Sequence, residues 1–139
     1  MTEVGPSDAI DEHLIAKLLR AFYDRVRVDP LIGPIFNERI QDWEPHLARI
    51  GDFWSAVMLR SGRYQGQPMR LHLPLPIDAT HFDRWLELFA TTARELCSAA
   101  VAEQFIQRAH TIGRSLEMGV AAAHGAILPF GERYLRKSA

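Results

Sequence analysis

Four side chains of this sequence could do chemistry, and each is set among large hydrophobes: Tyr23, His46, His72 and Trp85. His72 stands in the stretch Gly66-Gln67-Pro68-Met69-Arg70-Leu71-His72-Leu73-Pro74-Leu75-Pro76. Proline removes a backbone donor, fixes φ and pushes the residue before it out of helical geometry, so one or two helical turns at most fit between Pro68 and Pro74. An imidazole on so short a turn, facing an apolar interior, is a candidate metal ligand. Taken alone it would more often be a half-buried loop histidine bonded to a carbonyl, and its companions change the odds. His46 falls on the apolar face of a long helical pattern, one turn before Ile50 and two before Phe53. Phe22 and Tyr23 on one stripe, Phe36 in a connector and Trp85 on another stripe complete a cage of two imidazoles, one phenol and one indole. A Phe or Trp at helical spacing is ordinarily core, and His46 alone would pass for a helix-start residue. The weight rests on the conjunction.

The elements that must position these groups read as helices. Ser7 and Asp8 predict a helix start, with a hydroxyl to cap free amides and an acid in the first turn. From there Ile10, Leu14, Ile15, Leu18, Leu19, Phe22, Tyr23 and Val26 recur at helical spacing up to Asp29, where Pro30 follows. The run Leu31 to Phe36, broken by Gly33 and Pro34, allows a short helix or turn. Asp42 begins a second long helix with Pro45 in its first turn, expected to stop around Ser61 and Gly62. Thr80 is the expected cap of a third, with Asp83 as the acidic partner of a capping box. A fourth is expected from about Ala99 to Ala123, closed by Gly125, with Cys97 in mid-helix before it. Beyond it, Phe130 and Tyr134 could pack one further turn. No alternating β-branched run, repeat or linker is visible. These patterns predict an all-α chain forming a single domain over residues 1–139, with a core of about 8–124 and an extension over 125–139.

Composition narrows the chemistry. Sixteen basic and seventeen acidic residues give a net charge of -1, which offers no electrostatic footprint for nucleic acid or an anionic membrane. One cysteine excludes an internal disulfide and a cysteine-built zinc site. No apolar run approaches the ~20 residues that span a bilayer, and no basic-plus-apolar leader is seen, so a cytoplasmic, reduced setting is expected. There is no His-Glu-x-x-His, phosphate loop, EF-hand loop or Gly-x-Ser-x-Gly. Cys97 reads as a core residue rather than a nucleophile. Without Cys-x-x-Cys-His, any haem would be held non-covalently.

Several runs, in order and at their spacings, resemble the group III truncated haemoglobins, which are 2-over-2 globins. They are Phe22-Tyr23, Leu31-Ile32-Gly33-Pro34-Ile35-Phe36-Asn37, Trp43-x-x-His46, and Ile50-Gly51-Asp52-Phe53-Trp54. The run Tyr64-Gln65-Gly66-Gln67-Pro68 leads on to His72-Leu73-x-Leu75-Pro76 and then Trp85-Leu86-x-Leu88-Phe89. The resemblance spans roughly Ile15 to Val120, and the missing paired glycines favour the third group over the other two. It implies a truncated globin fold, a 2-over-2 helical sandwich around haem b, with His72 as the proximal iron ligand. Tyr23, His46 and Trp85 would line the distal side, where phenol and indole donors suit a dioxygen carrying partial negative charge. Phe22, Phe36, Ile50, Phe53 and Met69 would form apolar walls that keep water from oxidising the iron. Arg49 and Arg70 would pair with the haem propionates.

On this resemblance the expected function is reversible binding of dioxygen, nitric oxide or carbon monoxide. The alternative is a haem enzyme acting on nitric oxide or peroxide with an external reductase. A donor-rich pocket holds dioxygen tightly, which argues against simple transport. A remote third option is a helical interaction module whose histidines are structural; it predicts a colourless protein.

Overall fold

The computed structural model describes residues 8–64, 66, 68, 72, 74–126, 128 and 131–136. The first helix, α1 (Glu12–Val28), starts where the Asp11 carboxylate accepts the Leu14 amide at 2.8 Å. The start lies three residues beyond Asp8, because a capping carboxylate must reach an orphan amide two or three positions on, and Asp11 does so. Ser7 lies outside the described residues. The buried stripe of α1 is Leu14, Ile15, Leu18, Leu19, Phe22, Tyr23 and Val26. It ends at Asp29, as Pro30 requires.

Asp29 then organises the turn. Its Oδ2 accepts the amides of Leu31 and Ile32, and its Oδ1 receives Arg84 Nε at 2.7 Å. Burial works against its charge, but Arg84 and the two amides outweigh burial and hold the carboxyl below the usual range. The next helix, α2 (Gly33–Arg39), begins so close to the end of α1 that a Cβ on Gly33 would meet the Val26 carbonyl oxygen at 2.8 Å. Only glycine fits there.

Asp42 caps α3 (Trp43–Leu59), which closes at Arg60 in a left-handed conformation (φ 55), just short of the expected Ser61–Gly62 stop. The third long helix, α4 (Ala79–Leu96), corrects a sequence expectation. Asp78, not Thr80, is its cap: the carboxylate accepts the Thr80 amide at 2.9 Å. His81, not Asp83, closes the capping box, taking the Asp78 amide on Nδ1 at 3.0 Å. The last helix, α5 (Ala99–Ala123), is capped by Ser98 and ends before Gly125, whose φ is +83. Cys97 is not in mid-helix but is the buried residue that ends α4, and burial raises its thiol pKa.

All described elements are helical, as expected. The helix α1 packs against α2, α3 and α4, while α4 packs against α5. Two pairs, α1 with α3 and α4 with α5, therefore join through α1 and α4. Trp54 stacks on Phe89 at 5.1 Å in the centre of the main core, and the partly buried Trp85 stacks on the same ring at 5.8 Å. Each fully buried aromatic of this kind stabilises the fold by roughly 1.5–3 kcal/mol. A smaller core gathers Ile77, Phe82, Leu116, Val120, Ala121 and Tyr134. No helix among the described residues is long and apolar enough to cross a membrane.

Candidate functional site

Where the helix pairs meet, a cavity of about 370 Å³ opens. Tyr23 lines it from α1, Phe36 from α2, His46, Arg49, Ile50 and Phe53 from α3, and Trp85 from α4. His72 lines it from the stretch between α3 and α4, and Ile112 and Leu116 from α5. Eight of the eleven residues singled out in the sequence thus surround one space. Met69 and Arg70 lie outside the described residues. Phe22 is the exception: it is fully buried, does not reach the cavity, and packs behind it against Tyr23, Trp85 and Phe89 at ring distances of 4.6, 5.8 and 5.1 Å. It supports the wall rather than forming it.

His72 and Pro68 both have helical backbone, and His72 Nδ1 lies 2.6 Å from the Pro68 carbonyl oxygen. A carbonyl can only accept, so Nδ1 carries the proton and Nε2 keeps its lone pair. Among the described residues Nε2 has no hydrogen-bond partner. Burial lowers the pKa of this imidazole, while the Pro68 bond works the other way, and the ring stays neutral at pH 7.

His46 is half-buried, 5.5 Å from the Trp43 ring and 6.4 Å from the Tyr23 ring. Burial lowers its pKa first, and the positive charges of Arg49 and of a protonated His72 push the same way. Burial pushes the Tyr23 phenol up to about 12, with a hydrogen bond from Trp85 pulling against it. The phenol therefore keeps its proton and stays a donor at any ordinary pH.

Arg49 is exposed at the rim and has no carboxylate partner among the described residues, whereas Arg39 beside it pairs with Glu38 at 3.6 Å. No group of three or more His, Cys, Asp or Glu among the described residues could hold a bare metal ion. The donors facing the cavity are imidazole nitrogens, the free His72 Nε2 among them, in an apolar space with a cationic rim. That set suits a metal brought in by a flat, largely apolar organic ligand bearing carboxylates, and it does not suit a naked cation.

Sequence reasoning assigned no role to two lining residues, Tyr64 and His81, nor to Trp43 beside His46. Tyr64 meets Phe53 at 5.3 Å, and His81 lines the cavity while it caps α4. Trp43 buttresses His46 under the Arg27 guanidinium, which sits 4.9 Å over its ring. Trp43 and Tyr64 stood in the runs that carry the resemblance, without a role of their own; nothing in the pattern singled out His81.

Comparison with known proteins bears on this geometry. Residues 8–116 match the family model described as bacterial-like globin. The chain is 38% identical over 110 residues to a group 3 truncated hemoglobin of Campylobacter jejuni, covering 76% of this chain and 87% of that protein. The crystal structure of group III truncated hemoglobin from Campylobacter jejuni superposes with a TM-score of 0.77 at 35% identity, over 83% of this chain and 94% of the other. A structure described as a truncated oxygen-avid haemoglobin from Bacillus subtilis gives a TM-score of 0.68 at 26% identity, over 77% and 93% of the two chains.

Proposed function

Because this chain belongs to the bacterial-like globin family, with the all-α truncated globin fold that implies a haem, we propose that it holds haem b non-covalently in the cavity and binds dioxygen there. The observation that carries this is His72: Nδ1–H is held on the Pro68 carbonyl, and the Nε2 lone pair is left free beside an apolar cavity. An imidazole oriented by its other nitrogen is the usual form of a metal-ligating histidine. When bound, the haem supplies an iron at which a diatomic gas coordinates.

The chain's own residues do the rest. His72, kept neutral by burial, would hold the iron through Nε2. Phe36, Ile50 and Phe53 exclude water. Tyr23 and Trp85 donate hydrogen bonds to a polarised ligand, and Arg49 pairs with a propionate. His46, on the first turns of α3, controls entry. Nitric oxide and carbon monoxide fit the same space.

The two donors, Tyr23 and Trp85, also favour a second reading. Tight retention suits oxidation of nitric oxide to nitrate or reduction of peroxide, with electrons from an external reductase. A structural relative described as oxygen-avid is in keeping with retention. Nitrate formed over many turnovers, when nitric oxide is added to the dioxygen-loaded protein together with an external reductase, separates storage from this activity.

The test of the haem reading is His72→Ala. The purified protein should be coloured, and the variant should lose haem or shift its Soret and visible bands in both oxidation states. Its melting temperature should fall too, because a ligand bound only by the folded state stabilises it by mass action. Full haem content with an unaltered spectrum would overturn the assignment.

A further inference from the structure

Residues 74–78, between His72 and α4, are irregular and contain Pro74 and Pro76, which have no amide to donate. The stretch stitches itself only in part: the Leu75 amide bonds the His72 carbonyl at 3.0 Å, and the Ile77 amide bonds the Leu75 carbonyl at 2.9 Å. Beside the local bonds of the Asp78 cap, three groups, the Pro76 carbonyl, Asp78 Oδ2 and the Ala79 amide, find partners more than fifty residues away. The Arg136 guanidinium donates to the Pro76 carbonyl at 2.8 Å and the Arg136 amide to Asp78 Oδ2 at 2.9 Å. The Ala79 amide donates to the Tyr134 carbonyl at 2.7 Å.

The donor segment is itself anchored. Arg133 grips both oxygens of Glu117 on α5, at 2.8 and 2.7 Å, and reaches Asp83 on α4 at 2.8 Å. The Tyr134 amide adds a bond to Glu117 at 3.3 Å, and its hydroxyl lies 2.7 Å from His124 Nδ1. Glu117 is only 3% exposed, so its charge is tolerable only because it is paired and hydrogen-bonded in this way. The Tyr134 ring is buried with Ile77, Phe82 and Leu116, all three of which also line the cavity. Residues 133–136 lie beyond the stretch matched by the family model, which ends at residue 116.

We propose that residues 133–136 are a strap that positions His72 by tying down the chain leading from it into α4. This deepens the haem reading and rests on it. Arg133 and Arg136 touch no ligand; they act through the 74–79 stretch, and so they are positioning residues. Without the strap, the Pro76 carbonyl, Asp78 Oδ2 and the Ala79 amide lose these partners and the chain beside His72 is free to shift, which spreads the angles at which its Nε2 meets a metal.

Two variants of the full chain test this. Arg133→Ala combined with Glu117→Gln removes the anchor without leaving a buried charge unpaired. Arg136→Ala removes an exposed side chain whose bond is to the Pro76 carbonyl, so it keeps the test alive if the double variant fails to fold.

The first readout is amide hydrogen exchange in the haem-free protein. Exchange at Ile77 and Ala79 should quicken about tenfold, the equivalent of one ordinary hydrogen bond, while amides of Phe89 and Phe105 in the main core stay unchanged. The second readout is the loaded ferrous protein. Its iron–imidazole stretching band should broaden and haem release should quicken about tenfold, with both restored by Arg136→Lys in the single-variant series. Unchanged exchange at Ile77 and Ala79, or equal quickening throughout the chain, overturns the strap. Faster exchange with an unaltered iron–imidazole band overturns its role in positioning His72. Failure of the wild-type chain to take up haem overturns the haem reading instead, and the exchange readout still decides whether the strap holds.

Discussion

Replacing Tyr23 by phenylalanine removes one oxygen from the cavity wall and little else. The ring is held by Phe22 at 4.6 Å and by Phe36 and Trp43 at 5.8 Å each, and it is 6% exposed, so a phenylalanine ring fills the same space. The phenol, with its pKa pushed up to about 12 by burial, is a donor in the wild type at every working pH. A hydrogen bond to a polarised acceptor is worth about 1.5–3 kcal/mol. At about 1.4 kcal/mol per decade, that is roughly 10- to 150-fold in the rate of dioxygen release.

Trp85 tempers the loss. Its indole acts on the Tyr23 phenol, pulling its pKa down against burial, and once that oxygen is gone the N–H can turn wholly to the ligand. An ordinary hydrogen bond recovers about 0.5–1.5 kcal/mol. Tyr23→Phe should therefore speed dioxygen release toward the low end, by about tenfold, and the double variant with Trp85→Phe should exceed the product of the two single effects. The assay is stopped-flow displacement of dioxygen by carbon monoxide, with carbon monoxide release measured alongside as the poorer acceptor. Equal acceleration of both gases would refute the hydrogen-bond argument in favour of steric access. Single effects that simply multiply would refute the shared bond.

Two further outcomes are expected. Burial and the charge of Arg49 hold the His46 pKa below its usual ~6.5, with neutral Tyr23 and neutral His72 the other groups facing it, so the imidazole charges and swings to solvent only below that pH. Carbon monoxide rebinding after photolysis should quicken as pH falls beneath ~6.5, and His46→Ala should be fast throughout; matching pH profiles would remove the gate. The sign for stability is the same, since the unfolded chain takes this proton at a higher pH than the folded one does, and folding weakens as pH drops below ~6.5. Phe22→Ala should cost about 3–5 kcal/mol in denaturant melts, as a large ring deleted from a closed core, with the Soret position of the folded protein unchanged. A shifted band without a loss of stability would return Phe22 to the cavity wall.

What the sequence determined by itself was local. Apolar residues at helical spacing, with Pro30, Asp42 and Gly125 as punctuation, are enough to specify four long helices, because period and capping depend on residues within a turn or two of each other. Residue type also selected Tyr23, His46, His72 and Trp85, since few side chains can bind a metal or donate to a ligand from an apolar setting. Which neighbour faces the cavity depended on the packing. Phe22 and Tyr23 are adjacent and both apolar, yet successive side chains on a helix point about 100° apart. The α1–α4 contact turned Phe22 into the core against Phe89, and left Tyr23 facing Phe36 and Trp43 at the cavity. Caps were decided in the same way, by which carboxylate or ring could reach a free amide: Asp11 rather than Asp8, Asp78 with His81 rather than Thr80 with Asp83. The bonds from Arg136 to Asp78 and from Arg133 to Glu117 join residues 58 and 16 positions apart. No periodicity encodes such pairs. They exist because α4 and α5 pack side by side and leave buried polar groups that only a distant segment can satisfy.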